Sequence, residues 1–211
     1  MGNRQRIIDA TVELMNKNGS VVGTTQLVEH LSISPGNLYY HFRNREEILL
    51  EVLVHLQNDL DDVLMLEPGE IPDANRLASV LIGGAKVLWQ YRFFFSSSLE
   101  LVTKDPLLLA NYQQFCARGT SQVDAILAGI LNSPAGAIKL NKTQRAGLAE
   151  TLWVLWTSWP RYIETLAGNK EAEQEMLRNH KSIEFVLKPY LTDDFFQSVI
   201  RKTRRLQRLS P

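Results

Sequence analysis

The chain of 211 residues has a single cysteine, Cys116, and so cannot form an intrachain disulfide. A lone cysteine is typical of proteins from a reducing compartment. No apolar run approaches the about 20 residues that span a bilayer, because charged residues, proline or glycine interrupt every candidate. The first residues also lack the apolar segment of a secretory signal. These absences predict a soluble, cytoplasmic protein without a membrane partner.

Sequence motifs for catalysis and for metal binding are missing as well. The chain has no glycine-rich phosphate loop, no nucleophile elbow and no convergent acid–base cluster. It contains neither an HExxH nor a CxxC spacing, so no metal-ligand set is visible. We therefore expect no enzymatic activity, no bound metal and no other cofactor.

The chain carries no net charge, with 23 basic and 23 acidic residues. A neutral total is compatible with a nucleic-acid partner, because binding depends on where the charge is placed. Hydrophobic residues make up 45% of the chain, which is enough to bury a substantial core.

Patterns typical of β-strands are weak, whereas apolar residues recur every three or four positions between clusters of Pro, Gly, Asn and Asp. This pattern predicts an all-α fold of about ten helices. The predicted helices cover about residues 4–18, 25–31, 35–41, 44 to a break at 67–72, 73–91, 94–104, 106–131, 141–167, 170–187 and from 193 onwards.

A short helix beginning at Pro35 has the strongest local signals. Ser34 is a favourable N-cap, and proline suits the first helical position. The three residues 32–34 separate this helix from the preceding one, a spacing that suits a helix-turn-helix. Leu38 and Phe42 lie four residues apart, so they share one face, which is predicted to pack on the two preceding helices.

The opposite face of the short helix carries groups that can contact DNA. Asn37 can pair with adenine, and the ring of Tyr40 can touch thymine methyl groups. His41 can donate to phosphate oxygens, and Gly36 leaves room for a close backbone approach. Taken alone, this face is better explained as that of an ordinary exposed helix. The pattern of all three helices together favours contact with DNA.

Residues 4 to 53 resemble the DNA-binding domain of the tetracycline-repressor (TetR/AcrR) family. The family pattern has small residues where this chain has Val28 and Leu31, and glycine at Ser32. The matching segments are Arg6-Ile7-Ile8-Asp9-Ala10, Asn18-Gly19, Thr24-Thr25, Ile33-Ser34-x-Gly36-x-Leu38-Tyr39-Tyr40-His41-Phe42 and Asn44-Arg45-Glu46-Glu47-Ile48-Leu49.

The resemblance implies roles for individual residues of the helix-turn-helix and the start of the next helix, which we call the reading head. Arg45, where the family usually has lysine, is expected near the DNA backbone at the start of helix four. The residues expected to meet phosphates are Thr25, Tyr39 and His41. The residues expected to face the groove are Gln26, Pro35, Asn37 and Tyr40, with Gly36 beside them.

The resemblance also implies a helix-turn-helix domain over residues 1–50 and a helical ligand-binding and dimerisation domain over residues 51–211. A homodimer would bind a double-stranded DNA operator, most commonly as a repressor, under the control of a small-molecule effector. The apolar positions expected on the last helices, where the family dimerises, are Leu148, Leu152, Leu155, Ile163, Met176, Ile183 and Leu187.

Aromatic residues are dense after residue 88, which favours a pocket for an apolar or aromatic small molecule. Core packing is the better explanation for any single ring. Gly83 and Gly84, inside a predicted helix, make room either for a ligand or for close helix packing. The residues predicted to line the pocket are Trp89, Phe93, Tyr112, Phe115, Trp153 and Trp156.

The sequence thus predicts a DNA-binding transcriptional regulator of the repressor type. A helical binding protein for hydrophobic molecules, without a DNA function, would account for the aromatic residues. It would leave the first fifty residues unexplained.

Overall fold

The computed structural model describes residues 2–167 and 180–209. Within these ranges the chain is α-helical and has no β-strand, only an isolated bridge between Gly136 and Leu191. The predicted all-α class is therefore confirmed. The helices are α1 (Asn3–Asn18), α2 (Thr24–Leu31), α3 (Pro35–His41), α4 (Arg45–Leu64), α5 (Ala74–Gln90), α6 (Arg92–Ser96), α7 (Ser98–Val102), α8 (Pro106–Leu131), α9 (Lys142–Ala167), α10 (His180–Leu187) and α11 (Asp193–Leu209).

The described residues form two compact units. The first contains residues 2–58 and 90–115, and the second contains residues 59–89, 116–167 and 180–209. These units are defined by contacts within the chain and not by function. The division at residue 50 into two functional domains stays a prediction.

In the first unit, α1, α2 and α3 pack on one another around a small apolar core. Ile7, Met15, Leu27 and Leu38 are each about 1% exposed. Val28 and Leu31, which stand where the family has small residues, are each half-buried. A three-residue turn joins α2 to α3, and Ser32 in this turn adopts the left-handed conformation with φ of 52°.

Side-chain caps set the first residues of α3 and α4. The Ser34 Oγ accepts a hydrogen bond from the Asn37 N–H at 3.2 Å, so α3 begins at Pro35 as predicted. At α4 the Asn44 Oδ1 accepts from the Glu47 N–H at 2.8 Å. The Glu47 carboxylate accepts from the N–H of Arg43 at 2.7 Å. Helix α4 accordingly begins at Arg45 rather than at Asn44.

The predicted helix over residues 94–104 is two short helices, α6 and α7. They are interrupted at Ser97, whose φ of −121° and ψ of 18° depart from helical values. Three consecutive serines, residues 96–98, lie at the break, and serine competes with helical hydrogen bonding. The predicted helix over 170–187 lies partly outside the described residues, and α10 is its last part.

In the second unit, two tryptophans of α9 fit against glycines of neighbouring helices. A Cβ atom added to Gly84 of α5 would lie 2.0 Å from the ring of Trp156. One added to Gly119 of α8 would lie 2.1 Å from the ring of Trp153. Both glycines therefore serve close helix packing, because any side chain there would displace an indole. Among the described helices, none is long and apolar enough to cross a membrane.

Replacing Gly119 by alanine should lower the free energy of unfolding by about 1–3 kcal/mol, because the new methyl group overpacks the Trp153 contact. Gly147, in the exposed part of α9, is the matched control, since a methyl group added there would meet nothing within 4 Å. Gly147→Ala should stabilise the protein by up to about 1 kcal/mol. Urea denaturation measures both. Equal effects of the two changes would contradict the packing role of Gly119.

Candidate nucleic-acid interface and apolar pocket

Helix α3 has one buried face and one open face. Leu38 and Phe42 are each 1% exposed, whereas Tyr40 is 85% and Tyr39 is 54% exposed. Asn37 and His41 are half-buried at the edge of the open face. The rings of Tyr40 and His41 meet edge to face, with centroids 5.1 Å apart. Apolar packing below the helix thus leaves an aromatic and polar surface above it.

Asn37 has an unusual environment on this surface. Its backbone N–H is bonded to the N-cap Ser34, but the side-chain oxygen is shielded from solvent. No residue in the described part of the chain donates a hydrogen bond to this oxygen. A shielded acceptor without a donor costs free energy on the order of 1–3 kcal/mol. Asn37 therefore lies at the edge of the open face with its side-chain oxygen turned away from solvent.

The start of α2 and the start of α4 flank α3 in the sequence and carry the remaining predicted DNA contacts. Thr25 and Gln26 are exposed. The Gln26 Oε1 also accepts a hydrogen bond from the Gly23 N–H at 2.9 Å, which closes the first turn of α2. The Arg45 Nε donates to the carbonyl oxygen of Val22 at 2.9 Å. Arg45 therefore links the start of α4 to the loop before α2.

Pro35 and Gly36, the first residues of α3, are exposed, so the backbone at this end of the helix is open to an approaching ligand. A Cβ atom on Gly36 would meet only the Ser34 Oγ, at 3.9 Å. The nine residues predicted to contact DNA all belong to the first unit.

The second unit contains an apolar pocket between α5, α8, α9 and α10. Its empty volume is about 400 Å³, which includes space open to solvent. None of the lining residues carries an ionisable side chain. They are Leu77, Val80, Leu81, Val123, Ile126, Leu127, Leu152, Trp156, Ile183 and Leu187.

Of the six residues predicted to line a pocket, Trp156 is the one that lines this cavity. Trp153 packs on Gly119, and Trp89 is half-buried elsewhere in the second unit.

The other three predicted pocket residues belong to the first unit, where aromatic rings pack together. The rings of Tyr112 and Phe115 are stacked with centroids 5.8 Å apart, and the ring of Tyr112 also stacks on Phe94. The rings of Phe93 and Phe94 have centroids 5.6 Å apart. The sequence did not predict the aliphatic residues that line the cavity, because leucine and valine at helical spacing are equally typical of an ordinary core.

The end of α4 is held by polar contacts within the second unit. The Arg118 Nε of α8 donates to Asp61 at 2.8 Å, and this hydrogen bond raises the pKa of the Arg118 guanidinium. Gln122 of α8 donates to the same carboxylate at 2.6 Å. Arg76 of α5 donates to the Val63 carbonyl oxygen at 2.8 Å, within the last turn of α4. Helix α8 therefore both lines the pocket and contacts α4.

The residues predicted to form the dimer interface are largely buried inside the unit itself, which corrects that prediction. Leu148, Leu152, Ile163, Ile183 and Leu187 are buried, and Leu155 is half-buried. Three of them line the apolar pocket. Met176 lies outside the described residues.

A different set of apolar side chains faces outward on α9 and α10, two helices that pack on each other. Phe185 of α10 is 79% exposed. Val154, Tyr162 and Leu166 of α9 are more than half exposed and lie at multiples of four residues from one another, so they form one stripe. We call these four residues the apolar stripe. The ring of Tyr162 lies 4.9 Å from that of Trp159.

Two family profiles match this chain. The profile described as bacterial regulatory proteins of the tetR family matches residues 7–52. The profile described as TetR, bacterial transcriptional repressor, matches residues 55–199. The chain belongs to the TetR family. Its resemblance to this family, noted from the helix-turn-helix residues, is confirmed.

Individual relatives agree with this assignment. The HTH-type transcriptional regulator QacR of Staphylococcus aureus (strain Mu50 / ATCC 700699) is 41% identical over 54 residues. That match spans 25% of this chain and only 29% of QacR. A TetR-family transcriptional regulator from Marinobacter aquaeolei VT8 has a similar structure, with a TM-score of 0.84 and 27% identity over 97% of this chain and 98% of its own.

A second similar structure shows that the fold persists at low identity. The putative TetR-family transcriptional regulator from Rhodococcus sp. superposes with a TM-score of 0.64 at 18% identity, over 87% of this chain and 98% of its own. Membership of the family makes the protein a DNA-binding transcriptional regulator with an N-terminal helix-turn-helix. Regulators of this kind are generally not enzymes. Within the described ranges no group of acidic, histidine or cysteine residues could hold a metal ion.

Proposed function

We propose that the protein is a homodimeric repressor that reads an operator with α3 of each subunit and releases it when a small apolar ligand binds. The open face of α3, held outward by buried Leu38 and Phe42, is the observation that carries this proposal. A short helix with an aromatic and amide surface suits the major groove, where base edges and thymine methyl groups are accessible. In a dimer, two such helices would enter successive grooves about 34–36 Å apart.

Within each head, two residues read bases and the others position the head. Asn37 and Tyr40 contact base edges, because Asn37 lies at the edge of the open face and the ring of Tyr40 is 85% exposed. The remaining proposed contacts, to phosphates or to the groove wall, are Thr25, Gln26, Pro35, Gly36, Tyr39, His41 and Arg45. The few positive charges near α3 make each head weak alone, so affinity depends on two heads acting together.

The apolar stripe on α9 and α10 is the proposed dimer interface. Four exposed large apolar side chains on two adjacent helices are costly in water, and a second copy of the chain would bury them. An interface of this kind is self-complementary, because both subunits present the same surface.

The apolar pocket is the proposed effector site. Every lining side chain is apolar, so the pocket favours an uncharged ligand: an ionised group would lose its hydration without gaining a partner. Helix α8 lines the pocket with Val123, Ile126 and Leu127 and holds Asp61 of α4 through Arg118. A ligand that binds one position of α8 more tightly than another would shift the equilibrium between these positions. Because Arg118 of α8 holds Asp61, such a shift would also act on α4, whose other end adjoins α3.

Replacing Asn37 or Tyr40 by alanine should each weaken specific binding at least about 30-fold, because one base contact contributes about 1–3 kcal/mol of discrimination and the dimer loses one in each half-site. Fluorescence anisotropy on the DNA upstream of the protein's own gene, against a scrambled duplex at two salt concentrations, measures this. Gln113→Ala, at an exposed position of α8, is the control. Unchanged preference for the native duplex in both variants would show that α3 does not read it.

Replacing Phe185 by aspartate should convert the dimer to a monomer, because a carboxylate cannot be buried unpaired in an apolar interface. Size-exclusion chromatography with light scattering reports the mass. Leu107, an exposed leucine of α8 outside the apolar stripe, supplies the control Leu107→Asp. A monomeric wild type, or a dimer that survives Phe185→Asp, would rule out this interface.

The neutral dye N-phenyl-1-naphthylamine should bind at least about tenfold more tightly than its sulfonated relative 8-anilino-1-naphthalenesulfonate, because the pocket offers no partner for the sulfonate. Dye fluorescence gives both affinities. Gly84→Ala should weaken binding of the neutral dye, since the added methyl group pushes Trp156 from its place in the wall. Gly147→Ala should not. Equal affinities for the two dyes, or no effect of Gly84→Ala, would argue against this pocket.

A further inference from the structure

Arg4, in the first turn of α1, reaches the C-terminal end of α3. Its Nη1 donates to the carbonyl oxygen of His41, the last residue of α3, at 2.9 Å. Its Nη2 lies 3.0 Å from a carboxylate oxygen of Glu51 on α4. The guanidinium carbon stands 4.4 Å from the centre of the Phe42 ring. One side chain thus contacts the end of α3, the residue that follows it, and α4.

The end of α3 needs such a contact. The last four carbonyl groups of any helix lack partners within that helix, and in a helix of seven residues they are more than half of the total. The usual solution, a glycine in the left-handed conformation, is missing here, because the next residue is Phe42 with φ of −143°. A cation at this position also complements the helix dipole.

Arginine is suited to this place for a geometric reason. Its planar guanidinium can donate to two acceptors along its edge while its flat face stacks on an aromatic ring. Lysine would keep the charge but has no flat face and no fixed fork. The Glu51 and His41 contacts therefore define an orientation of α3 with respect to α4, and not merely a local charge balance.

We infer that Arg4 is a positioning residue for DNA reading: it fixes the orientation of α3 so that Asn37 and Tyr40 reach the base edges together. This inference rests on the proposed DNA-reading role of α3. Arg4 does so through His41, Glu51 and Phe42, which engage its guanidinium.

The chain provides a matched control for charge. Arg6 belongs to the same turn region of α1 and is exposed, and its Nη1 donates locally to the Asn3 side-chain oxygen at 3.2 Å. Arg4→Met and Arg6→Met remove the same charge and keep an unbranched apolar stem. Arg4→Lys keeps the charge but loses the planar guanidinium that can donate to two acceptors.

Two measurements on the full-length protein test the inference. Hydrogen exchange of the backbone amides of residues 39–42 reports on the end of α3 without DNA. Fluorescence anisotropy uses a duplex that the wild type enriches from a random-sequence library, and a scrambled duplex, at two salt concentrations. Arg4→Met should speed the exchange and weaken binding of the enriched duplex by at least about tenfold, with little change for the scrambled one. Arg4→Lys should recover part of the affinity, and Arg6→Met should leave exchange and the preference for the enriched duplex unchanged.

Three results would overturn the inference. Unchanged exchange in Arg4→Met would mean that Arg4 does not cap α3. Faster exchange with undiminished affinity for the enriched duplex would mean that the cap does not affect reading. An equal loss on both duplexes, with a shallower salt dependence, would make Arg4 a phosphate contact. If the wild type enriches no sequence from the library, both the proposed function and the inference fail. If the wild type enriches a duplex but Arg4→Met binds it as tightly, only the inference fails.

Discussion

The burial of Leu38 and Phe42 beneath α3 is the interaction on which the reading head depends. Removing each side chain from water contributes about 1.5–3 kcal/mol, and both are almost fully enclosed where α1, α2 and α3 pack together. Because these two residues lie on one side of a helix of two turns, the other side must face outward. The exposure of Tyr40 and the edge position of Asn37 follow from this packing. The surface of α3 proposed to meet DNA consists of the residues that the core leaves uncovered.

Each end of α3 is held by a different kind of interaction. Its first turn begins with the Ser34 cap and Pro35, both visible in the sequence. Its last turn has no local stop signal and depends on Arg4, 37 residues earlier in the chain. A short helix cannot be stabilised by its own hydrogen bonds alone, because so few of them form. Its orientation is therefore determined by contacts with α1, α2 and α4.

The second unit combines close packing with an apolar space. Gly84 and Gly119 let the indoles of Trp156 and Trp153 approach the backbones of α5 and α8, and Trp156 then forms part of a pocket wall. The same α8 that lines this pocket holds Asp61 of α4 through Arg118 and Gln122. A physical connection between an apolar site and α4 is thereby present within a single unit. Within this unit, the proposed ligand control would need no contact beyond those of α8 with the pocket and with α4.

Sequence alone determined the helical class, the starts of α3 and α8, and the family, because caps, prolines and the helix-turn-helix residues act locally or at fixed spacing. It also indicated that Leu38 and Phe42 share one face of α3, since four residues make about one helical turn. Only the tertiary structure decided which apolar residues become core, pocket wall or outer surface. Leu152 and Ile183 are buried in a pocket wall, whereas Phe185, two residues further on, is exposed. Helical periodicity groups residues by face, but which neighbour covers a face depends on contacts between distant segments, and no local signal specifies these.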